Sequence, residues 1–361
     1  MKKVLFSLVV IFSTLFSSDY EFDFDDLEQI ETKSYEYNGY LKGDYKYQIK
    51  DETSQDSYLG EVFLNYKYFK DKYTLNFDFI SNYENINTQE EDTYTVNQAF
   101  INYKHDENHQ IYVGKKIAKW GKGYYFNPVG FIDRIKDPND PEATKEGYTQ
   151  LNYKYNKVLN KELQNISFDA VYLRTTKEFN DDIYEKNSNI IALKTYMLYK
   201  NIDFDLVYLY SDKSENKIGV DFSTNIKTNF EVHAEFAKYD NGYSSYLLGF
   251  KYLTQNDLTV LSEYYYQKEI QEKNIPFWDN RYFLNSITQK EPFDILYFSI
   301  YYKNSLNIND NSFQNRLGVV YTKIKNLNIE ISISKNTGDE KSEFGTKQIE
   351  EMGWLSLKYS F

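Results

Sequence analysis

The sequence contains no cysteine. Disulfides, thiolate metal sites, cysteine nucleophiles and the lipid-accepting cysteine of a lipoprotein are therefore all excluded. Long hydrophobic runs are also missing, apart from Val4–Phe16, which follows Lys2 and Lys3. That run is shorter than the roughly 20 residues that a membrane-spanning helix needs. We expect residues 1–18 to be a cleaved secretory signal peptide.

Histidine is scarce, with three residues in the chain. His105 and His109 have the i, i+4 spacing of a zinc-binding helix, but the glutamate between them is one place late and the segment is typical of a tight turn. His233 lies between Glu231 and Glu235, so the strand position that would share its face holds a glutamate rather than the serine of a hydrolase. We predict no metal site, no cofactor and no enzymatic activity.

Proline is rare, and no Pro-, Gly- or Ser-rich linker divides the chain. We therefore predict a single domain over residues 19–361, with a periplasmic leader at 19–33. All five prolines fall in predicted loops or turns, as expected where strand ladders need every N–H group. They are Pro128, Pro138, Pro141, Pro276 and Pro292.

Aromatic residues are abundant, with 38 Tyr and 26 Phe, whereas the mean hydropathy is only −0.69. A helical membrane protein does not combine these properties. A β-barrel does, because lipid-facing and lumen-facing residues alternate and aromatic girdles mark both membrane interfaces. The net charge of −12 makes nucleic acid an improbable partner and is compatible with loops that face lipopolysaccharide through bridging divalent cations.

Alternation of apolar and polar residues predicts an all-β fold, an antiparallel up-and-down transmembrane barrel of about 18 strands, with 16 as the alternative. The weakest strand is Arg281–Gln289. The predicted strands are Tyr35–Tyr47, Tyr58–Tyr68, Tyr73–Tyr83, Thr95–Tyr103, Ile111–Lys119, Thr149–Tyr155, Ile166–Tyr172, Ile191–Tyr199, Phe204–Tyr210, Lys217–Thr224, Phe230–Phe236, Tyr246–Tyr252, Leu258–Tyr266, Arg281–Gln289, Ile295–Tyr302, Phe313–Thr322, Leu327–Ile333 and Met352–Phe361.

Connection lengths alternate along the chain. The gaps 120–148, 174–189, 267–280 and 334–351 are long, whereas Phe69–Lys72, Lys200–Asp203, Thr254–Asp257 and Lys323–Asn326 leave room only for tight turns. Outer-membrane barrels have short periplasmic turns and longer extracellular loops. The pattern therefore predicts an even strand number with both termini in the periplasm.

Residues 120–147 depart from the alternation. Asn127 before Pro128 is typical of a helix start, and Val129, Ile132 and Ile135 follow at helical spacing, so we predict short helices in this loop. The apolar side chains of the loop, which include Phe126 and Phe131, need a surface to bury against. The inside wall of the barrel is the nearest one, and we expect the loop to fold inward.

If the loop lines the pore, its polar and charged residues set the selectivity. The predicted lining is Lys119, Trp120, Lys122, Asn127, Asp133, Arg134, Lys136, Asp137 and Asp140. The alternative is that the charged residues brace the loop as ion pairs and caps. Asp137, Asn139, Asp140 and Glu142 could also bind calcium. On the strands, the inward-facing charges balance in sign, and the selected lumen residues are Lys42, Lys116, Arg316, Glu231, His233 and Glu235.

The chain resembles bacterial porins in two segments. Trp120-Gly121 followed by Asn127-Pro128 is similar to a pattern of porin-like outer-membrane families, whose constriction loop joins the fifth and sixth strands. Tyr359 and Phe361 resemble the terminal signal that the barrel-assembly machinery reads.

The resemblance implies a channel in the bacterial outer membrane for passive diffusion of small hydrophilic solutes or ions, narrowed by loop 120–147. The implied partners are outer-membrane lipid, lipopolysaccharide and the assembly machinery, and a homotrimer is left open. Two alternatives remain, a barrel for exopolysaccharide or specific-substrate transport and a non-conducting structural or surface-assembly barrel.

Overall fold

The computed structural model describes residues 34–361 except 51–52, 88, 138–140, 142, 144, 184–186, 269–280 and 348. The predicted signal peptide at 1–18 and the leader at 19–33 lie outside the described residues, as does Asp140 of the predicted pore lining. Among the described residues, no helix has the length and apolar character needed to cross a membrane.

The described residues form eighteen β-strands. They are β1 Tyr35–Lys50, β2 Thr53–Lys70, β3 Tyr73–Ile86, β4 Gln89–Lys104, β5 His109–Lys116, β6 Tyr148–Val158, β7 Leu163–Arg174, β8 Asn189–Tyr199, β9 Ile202–Ser211, β10 Lys217–Lys227, β11 Phe230–Tyr239, β12 Ser244–Leu253, β13 Leu258–Gln267, β14 Arg281–Lys290, β15 Phe298–Asn307, β16 Ser312–Tyr321, β17 Leu327–Thr337 and β18 Glu351–Ser360. A short 3-10 helix, Pro292–Asp294, precedes β15.

Each strand pairs antiparallel with the next strand along the chain, and β18 pairs with β1 from Tyr40–Ser360 to Ile49–Glu351. The sheet is thus a closed up-and-down barrel, as the sequence predicted. The least regular predicted strand is β14, which pairs along its length with β13 and β15. The count of eighteen is confirmed, and the alternative of sixteen strands is wrong.

Strand β9 shows how the sequence pattern becomes two faces. Leu206 and Tyr208 lie on its outer face and are 43% and 41% exposed, whereas Asp205, Val207 and Leu209 point inward and are fully buried. Successive side chains of a strand point to opposite faces, so period-two alternation separates the lipid-facing from the lumen-facing residues.

The four tight turns predicted from the sequence each contain a residue with positive φ. These residues are Asp71, Lys200, Asp257 and Asn326, with φ between 47° and 66°. Asp and Asn adopt this left-handed conformation more readily than most residues, and two-residue hairpin turns that follow the strand twist require it. The four turns join even-numbered to odd-numbered strands and lie at one end of the barrel.

The predicted short helices of loop 120–147 are wrong where the loop is described. Residues from Asn127 to Asp133 form two successive turns, closed by hydrogen bonds from Gly130 N–H to Asn127 C=O at 3.1 Å and from Asp133 N–H to Gly130 C=O at 3.0 Å. Ile135, which was expected to be buried, is 58% exposed. The spacing of Val129 and Ile132 reflects instead their burial against the inner wall of the barrel. A second short helix, predicted to begin at Asp140-Pro141-Glu142 and to end at Gly147, is not formed where these residues are described, and residues 140, 142 and 144 lie outside the described part.

Candidate functional site

The long loop, residues 117–147, packs against inward-facing side chains of the barrel. Trp120, Val129, Phe131 and Ile132 are buried in one apolar cluster with residues of β6 to β11. The wall residues of that cluster are Tyr148, Val171, Leu173, Ile190, Ala192, Val207, Leu209 and Ala237. Fully burying one such side chain contributes roughly 1.5–3 kcal/mol. The loop therefore lies inside the barrel, across this part of the wall.

A second apolar cluster extends the contact to β14. Phe126 of the long loop stacks on Tyr265 of β13 with ring centroids 4.2 Å apart, and it also meets Tyr282 of β14. Leu247 and Leu284 complete this cluster. The long loop thus covers the inner wall from β6 to β14.

Glu235 of β11 holds the backbone of the long loop. Its carboxylate accepts hydrogen bonds from the N–H groups of Lys122 and Gly123, both at 2.6 Å, and from that of Val129 at 3.1 Å. Hydrogen bonds to a charged group contribute roughly 1.5–3 kcal/mol each. This binding holds the loop backbone to the wall at two places, before Asn127 and just after it.

Glu263 of β13 performs the same task for the next two residues. Its two oxygens accept hydrogen bonds from the N–H groups of Tyr124 at 2.5 Å and Tyr125 at 2.9 Å. The side chain is fully buried. Together the two glutamates bind the N–H groups of residues 122–125 and of Val129, so they fix the path of the loop across the lumen.

His233 lies beneath the long loop and is fully buried. Its Nε2 is 2.9 Å from a Glu263 oxygen, and its Nδ1 is 3.4 Å from Glu231. Gly249 stands between His233 and Glu263 in the sheet register, and a side chain there would overlap the imidazole ring. Tyr124 of the loop covers the ring edge-on at 5.3 Å. His233 therefore supports the loop's attachment, and the predicted lumen residues Glu231, His233 and Glu235 all lie under the loop.

The side chain of Lys122, in the long loop, also forms an ion pair with the barrel wall. Its Nζ lies 3.2 Å from Asp205 of β9, and the same carboxylate is 3.4 Å from Nζ of Lys194. Asp205, Asp221 and Glu235 are directly opposite one another on β9, β10 and β11. Lys122 thus compensates part of a dense row of buried carboxylates.

Other predicted lining residues brace the loop against itself. Asp133 accepts hydrogen bonds from the N–H groups of Lys119 at 2.8 Å and Trp120 at 2.7 Å, and the Asn127 amide donates to the carbonyl of Trp120. Burial raises the pKa of Asp133, while these N–H donors oppose the rise. These contacts join the beginning of the loop, at Lys119 and Trp120, to its middle, at Asn127 and Asp133.

Arg134 ties the loop to its surroundings. Its guanidinium is 2.9 Å from Glu146 and also pairs with Asp182 of the β7–β8 connection. Lys136 donates to the backbone carbonyl of Tyr124 at 3.1 Å. Most of the described residues of the predicted lining thus make contacts that brace the loop, and among them only Lys119 and Asp137 are exposed.

The inward faces of β15–β18 and β1, which we call the basic wall, lie outside the two apolar clusters of the loop. Its cations outnumber its acids. The cations are Lys42, Lys46, Lys303, Arg316 and Lys358, and the acids are Glu36, Asp44 and Glu330. Two of the predicted lumen residues, Lys42 and Arg316, lie here, whereas Lys116 lies on β5. By contrast, the inward faces of β7–β13, which we call the acidic wall, carry Asp169, Asp203, Asp205, Asp221, Glu231, Glu235 and Glu263 against Lys194, Lys217 and Lys251.

Trp354 of β18 organises the basic wall. The Arg316 guanidinium stacks on its ring at 3.9 Å, and the ammonium groups of Lys42 and Lys46 lie 5.5 and 5.9 Å from the ring centre. Cations close to an aromatic face are held by the ring quadrupole. Trp354 was not among the predicted site residues, although an inward-facing indole in a strand whose other inward residues are mostly polar was a usable signal.

Tyr125 marks the place where the long loop approaches the basic wall. It lines one small space together with Lys303 and Arg316, and β14–β16 also contribute Ser305, Gln314, Asn285 and Asn304 to its lining. Burial raises the pKa of the Tyr125 hydroxyl to about 12, so it stays protonated at neutral pH. Tyr125 was not among the predicted site residues, because nothing in the sequence distinguishes it from the other tyrosines of this Tyr-rich chain.

A second connection, between β17 and β18, also contacts the inner wall. Glu343 accepts hydrogen bonds from the Tyr282 hydroxyl at 2.8 Å and from the Asn307 amide at 2.9 Å. Phe344 beside it is buried. Nothing in the sequence separated this loop from a solvated one. Among the described residues no group of His, Asp or Glu has the arrangement of a metal centre, and Asn139, Asp140 and Glu142 of the calcium alternative lie outside them.

No protein-family model matches the sequence, and no curated protein matches it. Solved structures do resemble the fold. A BenF-like porin from Pseudomonas fluorescens Pf-5 superposes with a TM-score of 0.61 at 9% identity, over 91% of this chain and 99% of that one. OccK5 (OpdH) of Pseudomonas aeruginosa gives 0.58 at 10% identity, over 90% and 98%.

A third neighbour is Wzi of Escherichia coli, an outer membrane protein involved in group 1 capsule assembly and described as a carbohydrate-binding β-barrel. It gives a TM-score of 0.56 at 8% identity, over 91% of this chain and 84% of that one. At these identities the likeness concerns the fold. The chain therefore has the closed-barrel fold of the outer-membrane porins, as its sequence predicted.

Proposed function

We propose that the chain is an outer-membrane channel for passive diffusion of small hydrophilic solutes, with its narrow point between the long loop and the basic wall. The observation that carries the proposal is the attachment of the loop to one side of the lumen by Glu235, Glu263 and two apolar clusters. Barrels of sixteen or more strands enclose a passage unless something fills it. A loop fixed to one wall narrows such a passage.

The charges at the narrow point favour anionic over cationic solutes. Arg316 and Lys303 face Tyr125 there, whereas Glu235 and Glu263 of the acidic wall bind loop N–H groups and Asp205 pairs with Lys122. Charged groups at a constriction set ion preference through their local field. The partners that follow from the proposal are membrane lipid, lipopolysaccharide, the barrel-assembly machinery and the solutes themselves, with no enzymatic role.

Single-channel recording in planar bilayers tests the proposal. We expect the purified full chain to give discrete conductance steps and a reversal potential that indicates anion preference in a salt gradient. Removing residues 128–142 should raise the conductance of each step, because the loop would no longer cross the lumen. A correctly folded barrel that gives no conductance steps would contradict the proposal that the chain is a channel. Unchanged conductance in the shortened chain would contradict the proposal that the loop narrows the pore.

The likeness to Wzi supports a second candidate, a surface-assembly barrel that binds carbohydrate without conducting. That candidate predicts no conductance steps together with saturable polysaccharide binding. An export barrel for an acidic polysaccharide predicts steps that the polymer blocks. The same recording, repeated with polymer present, therefore separates all three.

A further inference from the structure

Most outward positions of the strands are apolar, and one set of neighbouring strands departs from this. On β9 and β10 the outward positions are Leu206, Tyr208, Ile218 and Phe222, as on most strands. On three neighbouring strands, β14, β15 and β16, an asparagine takes an outward position in the strand. These residues are Asn285, Asn304 and Asn315.

The direction of these side chains follows from their neighbours. Leu284 packs in the second apolar cluster under the loop, and Arg316 stacks on Trp354 of the basic wall, so both point into the lumen. Asn285 and Asn315, one position away, point outward. Asn304 is directly opposite both of them in the sheet register and so shares their face.

The asparagines form a hydrogen-bonded row with Ser262 of β13. The Ser262 hydroxyl donates to the Asn285 amide oxygen at 2.7 Å. The Asn304 amide donates to the Asn315 oxygen at 2.8 Å, and the Tyr302 hydroxyl donates to the same oxygen at 2.7 Å. Within the described part of the chain, the amide nitrogens of Asn285 and Asn315 and the amide oxygen of Asn304 make no hydrogen bond. We call Ser262, Asn285, Asn304 and Asn315 the amide row.

The amide row lies at membrane depth. Asn285 is four residues from Arg281 and five from Lys290, the ends of β14. For a strand tilted as barrel strands are, this places it about 10 Å from each strand end, inside an apolar band about 25 Å tall. Phe283 and Ile287 flank it on the outer face and are themselves exposed. Hydrocarbon offers no hydrogen bond, so unpaired amide groups there are costly.

We propose that the amide row binds the amide row of a second copy of this chain. An amide carries both a donor and an acceptor, so the row is complementary to itself. Two copies in one membrane share their orientation, and a two-fold axis along the membrane normal brings equal depths together, which places amide against amide. A phosphate-bearing lipid headgroup would need cations, and the row carries none. The proposal is independent of whether the barrel conducts.

Disulfide trapping tests the proposal, because the chain has no cysteine to interfere. Asn304→Cys should form a disulfide-linked dimer of the full chain in native membranes under mild oxidation. Ile218→Cys, outward-facing on β10, is the matched control, and we expect at least about tenfold less dimer from it. Equal trapping at both positions, or none at residue 304, would overturn the proposal.

A second measurement keeps the test independent of cysteine chemistry. The triple variant Asn285→Leu, Asn304→Leu, Asn315→Leu should remain a heat-modifiable, folded barrel, because leucine suits the lipid-facing surface. We expect its dimer to dissociate about tenfold more readily for each amide pair lost, as followed by sedimentation in detergent. A folded triple variant that associates as the wild-type chain does would show that the row is not the contact.

Discussion

The acidic wall and the basic wall use opposite charges in opposite ways. On the acidic wall, Glu235 and Glu263 are buried, and their carboxylate oxygens accept hydrogen bonds from N–H groups of the loop. On the basic wall, Lys42, Lys46 and Lys303 remain partly exposed beside aromatic rings. Lys42 also pairs with Asp44 at 3.3 Å, so the two walls differ in the burial of their charges and in the groups those charges contact. The acidic wall therefore holds the loop that narrows the lumen, and the basic wall forms the opposite side of the narrow point.

The largest expected effect comes from detaching the loop from the acidic wall. The double variant Glu235→Ala, Glu263→Ala removes five hydrogen bonds to charged acceptors, which we expect to cost the attachment roughly 5 kcal/mol or more. Single-channel conductance should rise and become noisier. Glu162→Ala, an exposed glutamate in the turn between β6 and β7, is the control, with little change expected. Wild-type conductance in the double variant would mean that the apolar clusters alone hold the loop.

Reversing one charge of the basic wall should change selectivity without changing the loop. Arg316→Glu replaces the guanidinium that stacks on Trp354 by a carboxylate. We expect the reversal potential in a salt gradient to move toward cation preference. Lys335→Glu, which changes a charge on the outer face, should leave it unchanged. Equal shifts in both variants would point to a general charge effect.

Weakening the apolar attachment should have a smaller, local effect. Phe126→Ala removes the ring that stacks on Tyr265, a loss of about 3–5 kcal/mol for a buried aromatic residue. We expect faster hydrogen exchange in the long loop while the strands keep their protection. Tyr208→Ala on the outer face is the control. Equal loss of protection in the strands would show that the loop also stabilises the barrel.

The smallest expected effect is a pH dependence near Lys145 of the long loop. Burial lowers the pKa of Lys145 to about 8, so the ammonium is charged below that pH and neutral above it. Anion preference should therefore fall slightly between pH 7 and 9. Lys145→Arg should remove this step, because arginine stays charged throughout. A step that persists in the variant would assign the titration to another group.

The barrel was predictable because its information is local. Every strand was found from period-two alternation, and the tight turns from the short gaps between strands. The alternation is weakest in β14 because Asn285 takes the place of an apolar residue on its outer face. Alternation reports which side chains face lipid, and that environment is uniform around most of the barrel.

The site was less predictable because its contacts are distant in sequence. Asn127 and Pro128 suggested a helix, but Glu235, more than a hundred residues later, binds the N–H groups of Gly123 and Val129 and holds the segment to the wall as turns. Charged loop residues such as Lys122 suggested a pore lining, yet Asp205 pairs with it. Trp354 and Tyr125 stood out only once the register placed them. No local pattern encodes which partner a charge will meet.

The closing seam between β1 and β18 has a consequence for how the barrel folds. Gly39 and Phe361 exchange backbone hydrogen bonds at 3.0 Å, although more than three hundred residues separate them. All other pairings join strands adjacent along the chain, so hairpins can form in order at a small loop-closure cost. The seam alone requires the two ends of the sheet to meet. Contacts between residues far apart in sequence form slowly, so we expect closure of this seam to limit the rate of folding. Until the seam closes, β1 and β18 each present an unpaired edge that can associate with other chains.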